Sequence, residues 1–152
     1  MLAAMIMVCL SGSALFAAPK PEASIKFCAN NHCNKDTFPI LGVDQIDMLT
    51  VWRNLSPGDH VQDLKLILPN GDVYQVLHTA FTTSPSNTHG RVRALATEGG
   101  HALDTVLPVR GTWIQQFSMT GTWSVQMLLD GNQVQTAKFT FTATSHKTET
   151  HD

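Results

Sequence analysis

Charge is scarce in this chain. Asp, Glu, Lys and Arg make up 14% of its 152 residues, and the formal net charge is −2; a quarter is ordinary for a soluble domain. Without a basic excess the chain lacks the electrostatic footprint of a nucleic-acid binder, so no nucleic acid is expected as a partner. With 43% hydrophobic residues it is too apolar to be disordered. Helical patterning is also missing. No long segment carries a clean 3.6-residue stripe with caps, which removes the crossover helices that a parallel α/β sheet requires. Catalytic signatures are absent too. There is no H-E-x-x-H, no G-x-S-x-G and no phosphate-binding loop, since Gly99-Gly100 is not followed by Lys and Ser or Thr. The length leaves room for one domain, and no internal repeat is visible.

Residues 1–18, MLAAMIMVCLSGSALFAA, contain no charge; Lys20 is the first. The stretch reads as a signal peptide, with small residues Ala14, Ala17 and Ala18 at its end and Pro19 and Pro21 just beyond. The alternative is an uncleaved membrane anchor, since a run of this length can span a bilayer. The membrane is expected as a partner only in that case. Removing the leader leaves two cysteines, Cys28 and Cys33, and an even pair in an exported chain reads as a disulfide. His32 between them raises zinc as an alternative, but a structural site needs a fourth ligand. The expected localisation is secreted or periplasmic.

The rest reads as strands between turns. A first short strand covers 24–28 and a second 46–53. A turn at 55–60 follows, in which Pro57 fixes φ and Gly58 supplies a positive φ. In the third strand, 61–68, Leu64, Leu66 and Leu68 share one face, and Asp63 and Lys65 the other. Pro69-Asn-Gly-Asp72 predicts a type I′ hairpin into a fourth strand at 73–82. Residues 83–90 form a polar loop, and 91–97 are either a strand or an irregular excursion. A strand at 103–109 is expected to run on toward Ile114. From Gly121, Trp123, Val125, Met127 and Leu129 share one face, and Asp130-Gly131 is a second hairpin turn. The final strand, 133–142, points Ala137, Phe139 and Phe141 inward; Val134 is out of phase with them and predicts a bulge. The expected fold class is all-β, an antiparallel sandwich of about seven strands over 19–144, with a flexible polar tail at 145–152.

Two stretches carry a family resemblance. One is Trp52-Arg-Asn-Leu-Ser-Pro-Gly-Asp-His-Val61 leading into Leu68-Pro-Asn-Gly-Asp-Val-Tyr74. The other is Leu107-Pro-Val-Arg-Gly-Thr-Trp-Ile114 followed by Gly121-Thr-Trp-Ser-Val125, Asp130-Gly131 and Phe139. Over about residues 24–143 the chain resembles small secreted bacterial proteins with an immunoglobulin-like β-sandwich domain of uncharacterised function. The resemblance rests on turns and core positions and implies a fold rather than an activity. The inter-sheet disulfide of antibody domains is missing, and Trp52 or Trp123 stands as the core tryptophan.

Candidate functional residues are few. Asp59, His60 and Trp113 mark possible binding loops, with recognition expected around 55–60, 83–102 and 130–132. An exposed Trp113 suits an anchor role, while a core position is the commoner fate of tryptophan. Asp59 in a turn is expected to bond its own backbone and leave His60 exposed. The expected function is an exported, non-catalytic binding or structural module of the bacterial envelope, without a cofactor, whose partner is a protein or glycan. The competing expectation is a metal protein or enzyme built on Asp59, His60 and His78 or His101, which requires these distant residues to converge.

Overall fold

A computed structural model describes residues 19–33, 35–83 and 100–143. The expectations for 1–18, for 84–99 and for the tail after Thr144 lie outside the described residues. Nine strands and one short helix follow each other. They are β1 (Glu22–Ala29), β2 (His32–Cys33), β3 (Thr37–Pro39), β4 (Gln45–Arg53), β5 (Gly58–Ile67), β6 (Val73–Thr83), β7 (His101–Pro108), α1 (Trp113–Gln116), β8 (Gly121–Leu129) and β9 (Asn132–Thr142). They form two sheets, ordered β2-β1-β4-β7 and β3-β9-β8-β5-β6. Every pairing is antiparallel except that of β3 with β9. The protein is thus all-β, with two sheets around a shared core, an arrangement compatible with a β-sandwich. No helix among the described residues is long and apolar enough to cross a membrane.

Period-two patterning builds this core. Ile46, Met48 and Trp52 of β4 meet Leu64 and Leu66 of β5, Trp123, Val125 and Met127 of β8, and Phe139 and Phe141 of β9, all buried. Trp52 and Trp123 are both fully buried, so both are core tryptophans. One polar group crosses between the sheets. The buried Gln62 Oε1 on β5 accepts from Thr50 Oγ1 at 2.6 Å and from Trp52 Nε1 at 2.7 Å, both on β4. Its Nε2 donates to Thr105 Oγ1 on β7. Both polar atoms of the buried amide thereby have partners.

The turns follow their residues. Asp130 and Gly131 both take positive φ, at 50° and 80°, the type I′ geometry expected of them. Val134 is the extra residue of a bulge, because Met127 pairs with Gln135 while Leu128 pairs with Gln133. The first hairpin departs from expectation. Gly71 has a φ of 93°, but Asn70 does not take positive φ, and Gly71 N donates to Leu68 O. Pro69 and Asn70 form the centre of a type I turn and Gly71 the left-handed residue that follows, so the loop has three residues rather than two. Pro69, with φ fixed near −65°, favours that corner position.

Three further expectations are corrected. The strand at 103–109 does not continue to Ile114; it ends at Pro108, and Gly111 and Thr112 lead into α1. The turn after β4 is shorter than expected, because β5 begins at Gly58 and takes in Asp59 and His60. The segment after Cys33 supplies β3, which crosses to the second sheet and lies parallel to β9. Cys28 and Cys33 do form a disulfide, across the β1–β2 hairpin.

Candidate functional site

Strand alternation carries the site. His60 is in phase with Gln62, Leu64 and Leu66, so it points toward the interior and is 8% exposed. Starting the strand at Val61 hides this; the i, i+2, i+4 spacing from His60 was the signal. Its neighbour Asp59 faces outward and accepts from Thr82 Oγ1 on β6 at 2.6 Å, rather than bonding its own turn.

Both ring nitrogens of His60 meet acceptors. Nδ1 lies 2.8 Å from Asp130 Oδ2, and Nε2 lies 2.8 Å from the carbonyl oxygen of Ser56. A neutral imidazole has one N–H, so either tautomer leaves a bare nitrogen against an oxygen lone pair. Only the imidazolium donates to both. Those two bonds, the Ser56 carbonyl first and Asp130 second, raise the His60 pKa against the lowering effect of burial. Asp130 is held below the usual carboxylate range by the His60 bond and then by the Val61 backbone N–H, which reaches its Oδ1 at 2.8 Å. Asp130 N donates back to Val61 O, so the β8–β9 turn is tied to β5 by side chain and backbone alike.

Phe81 on β6 continues the site. Its ring lies 5.6 Å from that of His60 and stacks on His101 of β7 at 4.8 Å and 22°. The stack therefore reaches from one sheet to the other at a single end of the molecule. Burial, and then the charge on His60, lower the His101 pKa. A shallow groove of about 360 Å³ runs beside the stack, lined by Asp59, His60, Val61, Ala80, Phe81 and Thr82. A second, of about 410 Å³, is lined by Asp130 with Lys20, Pro21 and Gln133.

The sequence-based candidates separate into two places. Asp59 and His60 sit at this end, together with the 54–57 and 130–131 turns. Trp113 sits at the opposite end on α1, 66% exposed, where its ring meets that of Phe117, which is 65% exposed. Ile114 is the inward neighbour, fully buried. The histidines do not converge either. His78 projects outward and pairs with Asp63 at 2.6 Å, and His101 is separated from His60 by the Phe81 ring. Among the described residues no group of three His, Cys, Asp or Glu side chains is placed to hold a metal ion. Comparison of the sequence with protein-family models and with curated proteins finds no match.

Proposed function

We propose that the protein is an exported, non-catalytic immunoglobulin-like module of the bacterial envelope, and that it binds a protein or glycan through the His60 end. Strand order is the observation that carries this reading. Support comes from the order β1-β4-β7, with β2 outside β1, in one sheet and β9-β8-β5-β6 in the other, which parallels the A-B-E and G-F-C-C′ order of immunoglobulin domains, with β3 lying along β9. The start of β8 adds support. Trp123 Nε1 donates back to Met119 O at 3.1 Å, in the place where such domains carry a tyrosine corner. The disulfide between Cys28 and Cys33 favours an oxidising compartment.

Two grooves flanking tied turns give the His60 end a preformed surface, the usual setting for recognition by loops on a rigid sandwich. The test is an NMR titration of the purified domain with envelope polysaccharide and, separately, with envelope protein extract. Shifts clustered on 54–60 and 130–132 are the expected result. Shifts confined to Trp113 and Phe117, or none, overturn it. Intact mass of the exported chain tests the leader and, through a loss of about 2 Da for the two hydrogen atoms removed on oxidation, the disulfide.

A further inference from the structure

Three rings are arranged in a row at the His60 end, and the outer two have opposite needs. His60 is bonded through both nitrogens to acceptors, Asp130 and the Ser56 carbonyl, and so fits as a cation. His101 lies at the other side of Phe81, partly buried, with no carboxylate partner among the described residues. A charge there meets desolvation without compensation, and meets the His60 charge across the intervening ring. Among the described residues, the charged groups that act on the two histidines are Asp130 from the β8–β9 turn, Asp59 from β5 and, for His101, His60 itself; Arg53 lies on β4 next to Trp52, the residue paired with His101.

We propose that the His60–Phe81–His101 stack is a proton-operated latch on the loop end, closed only when His60 is protonated and His101 is not. Losing the His60 proton removes a donor from the bond to Asp130 or from that to Ser56. It thereby loosens the hold of β5 on the β8–β9 turn or on the turn before it. Gaining a proton on His101 places two cations at the ends of one short stack. The loop end is then tightest in a window of pH and opens on both sides.

The signs follow from linkage. The folded His60 pKa lies above the unfolded value of about 6.5. Its contribution is therefore fully present below that value and is lost as pH rises through the folded pKa. The folded His101 pKa lies below the same unfolded value. Its penalty is therefore absent above about 6.5 and grows as pH falls toward the folded pKa.

Imidazole-detected NMR across the pH range, together with hydrogen exchange at the Val61 and Asp130 amides, tests this. The expected result is two N–H protons on His60 and one on His101 near pH 6.5. Exchange, corrected for its intrinsic pH dependence, should be slowest there and rise about tenfold or more toward either side, the scale of one lost bond to a charged group. Asp130→Asn keeps the turn, since Asn-Gly is a preferred type I′ pair, and should shift the His60 midpoint downward and move the alkaline limb with it. His101→Gln should abolish the acid limb and leave the alkaline one. A single proton on His60 near pH 6.5, or limbs that do not move with these variants, overturns the proposal. Both variants are exchanged under conditions where the sheet amides remain protected, so unfolding is read separately from opening of the latch.

Discussion

The two ends of the molecule are held by different means. At the His60 end charged and polar side chains add to the backbone bond from Asp130 N to Val61 O. Asp130 holds the Val61 amide and the His60 ring, and Ser56 O accepts from both His60 and Thr83 Oγ1. At the Trp113 end more of the ties are backbone, and the ion pair of Arg110 with Asp44 is exposed, where charge pairs contribute little. Asp44 O accepts from the amides of Val109 and Arg110, and Met119 N donates to Ile114 O. Large apolar side chains stand exposed at the Trp113 end, whereas at the other end the aromatic ring is stacked between histidines. Backbone ties are indifferent to pH and to most substitutions. Side-chain ties with charge can be tuned, and they make one end of the fold responsive while the other stays fixed.

That contrast can be broken at several levels. Trp123 packs against Tyr74, Phe139 and Phe141 in the core common to both ends. Trp123→Ala should cost about 3–5 kcal/mol, and probes at the two ends should report one shared denaturant midpoint. Distinct midpoints show instead that the ends unfold separately. The disulfide belongs to the Trp113 end, where Asn30 Nδ2 in its hairpin donates to Gly42 O. Replacing Cys28 and Cys33 by Ser closes no loop in the unfolded chain and should lower stability by about 2 kcal/mol, measured by urea unfolding at a pH inside the latch window. No change under reducing and oxidising conditions alike argues that the hairpin is held by its strands alone.

Asp130→Ala removes charged hydrogen bonds and places Ala at positive φ, so a loss of about 1–2 kcal/mol is expected, with the alkaline decline in stability flattened. A decline of undiminished size assigns the pH response to another group. The smallest effect belongs to the double substitution of Trp113 and Phe117 by Ala. With both rings exposed, thermal unfolding should change by less than about 0.5 kcal/mol. A larger loss makes these rings part of the structure and weakens the division between a tuned end and a fixed one.

Much of this was legible in the chain because strand alternation is a strong signal. The face made by Trp123, Val125, Met127 and Leu129 is read directly, and the phase error at Val134 locates a bulge. Short elements were not legible. Three residues of β3 carry too little periodicity to show, and their pairing depends on a strand a hundred residues later. In α1 only Ile114 is buried, so its pattern over four residues is as good a strand as a helix. The His60 site was half visible. Residue type singles out Asp59, His60 and the 130–132 turn, but Pro57 and Gly58 signal a turn that extends past the true start of the strand at Gly58. That Asp130 is the partner follows only from the β5–β8 register, which sets Gln62 opposite Leu129. Neither the Ser56 carbonyl nor the Phe81 stack leaves a mark in the sequence, because each is a consequence of pairing.

The parallel contact between β3 and β9 has a consequence for how the molecule comes into being. Thr37 pairs with Thr140, so the loop it closes spans nearly the whole described chain. Such long closures are entropically costly and form late. During synthesis most of the strands can meet before the last one is made, but Phe38 lacks its strand partner Phe141 and its ring contact with Phe139 until β9 arrives. A ribosome that stops short of residue 139 leaves a nascent chain with an open seam along β8, and the final strand is what seals it.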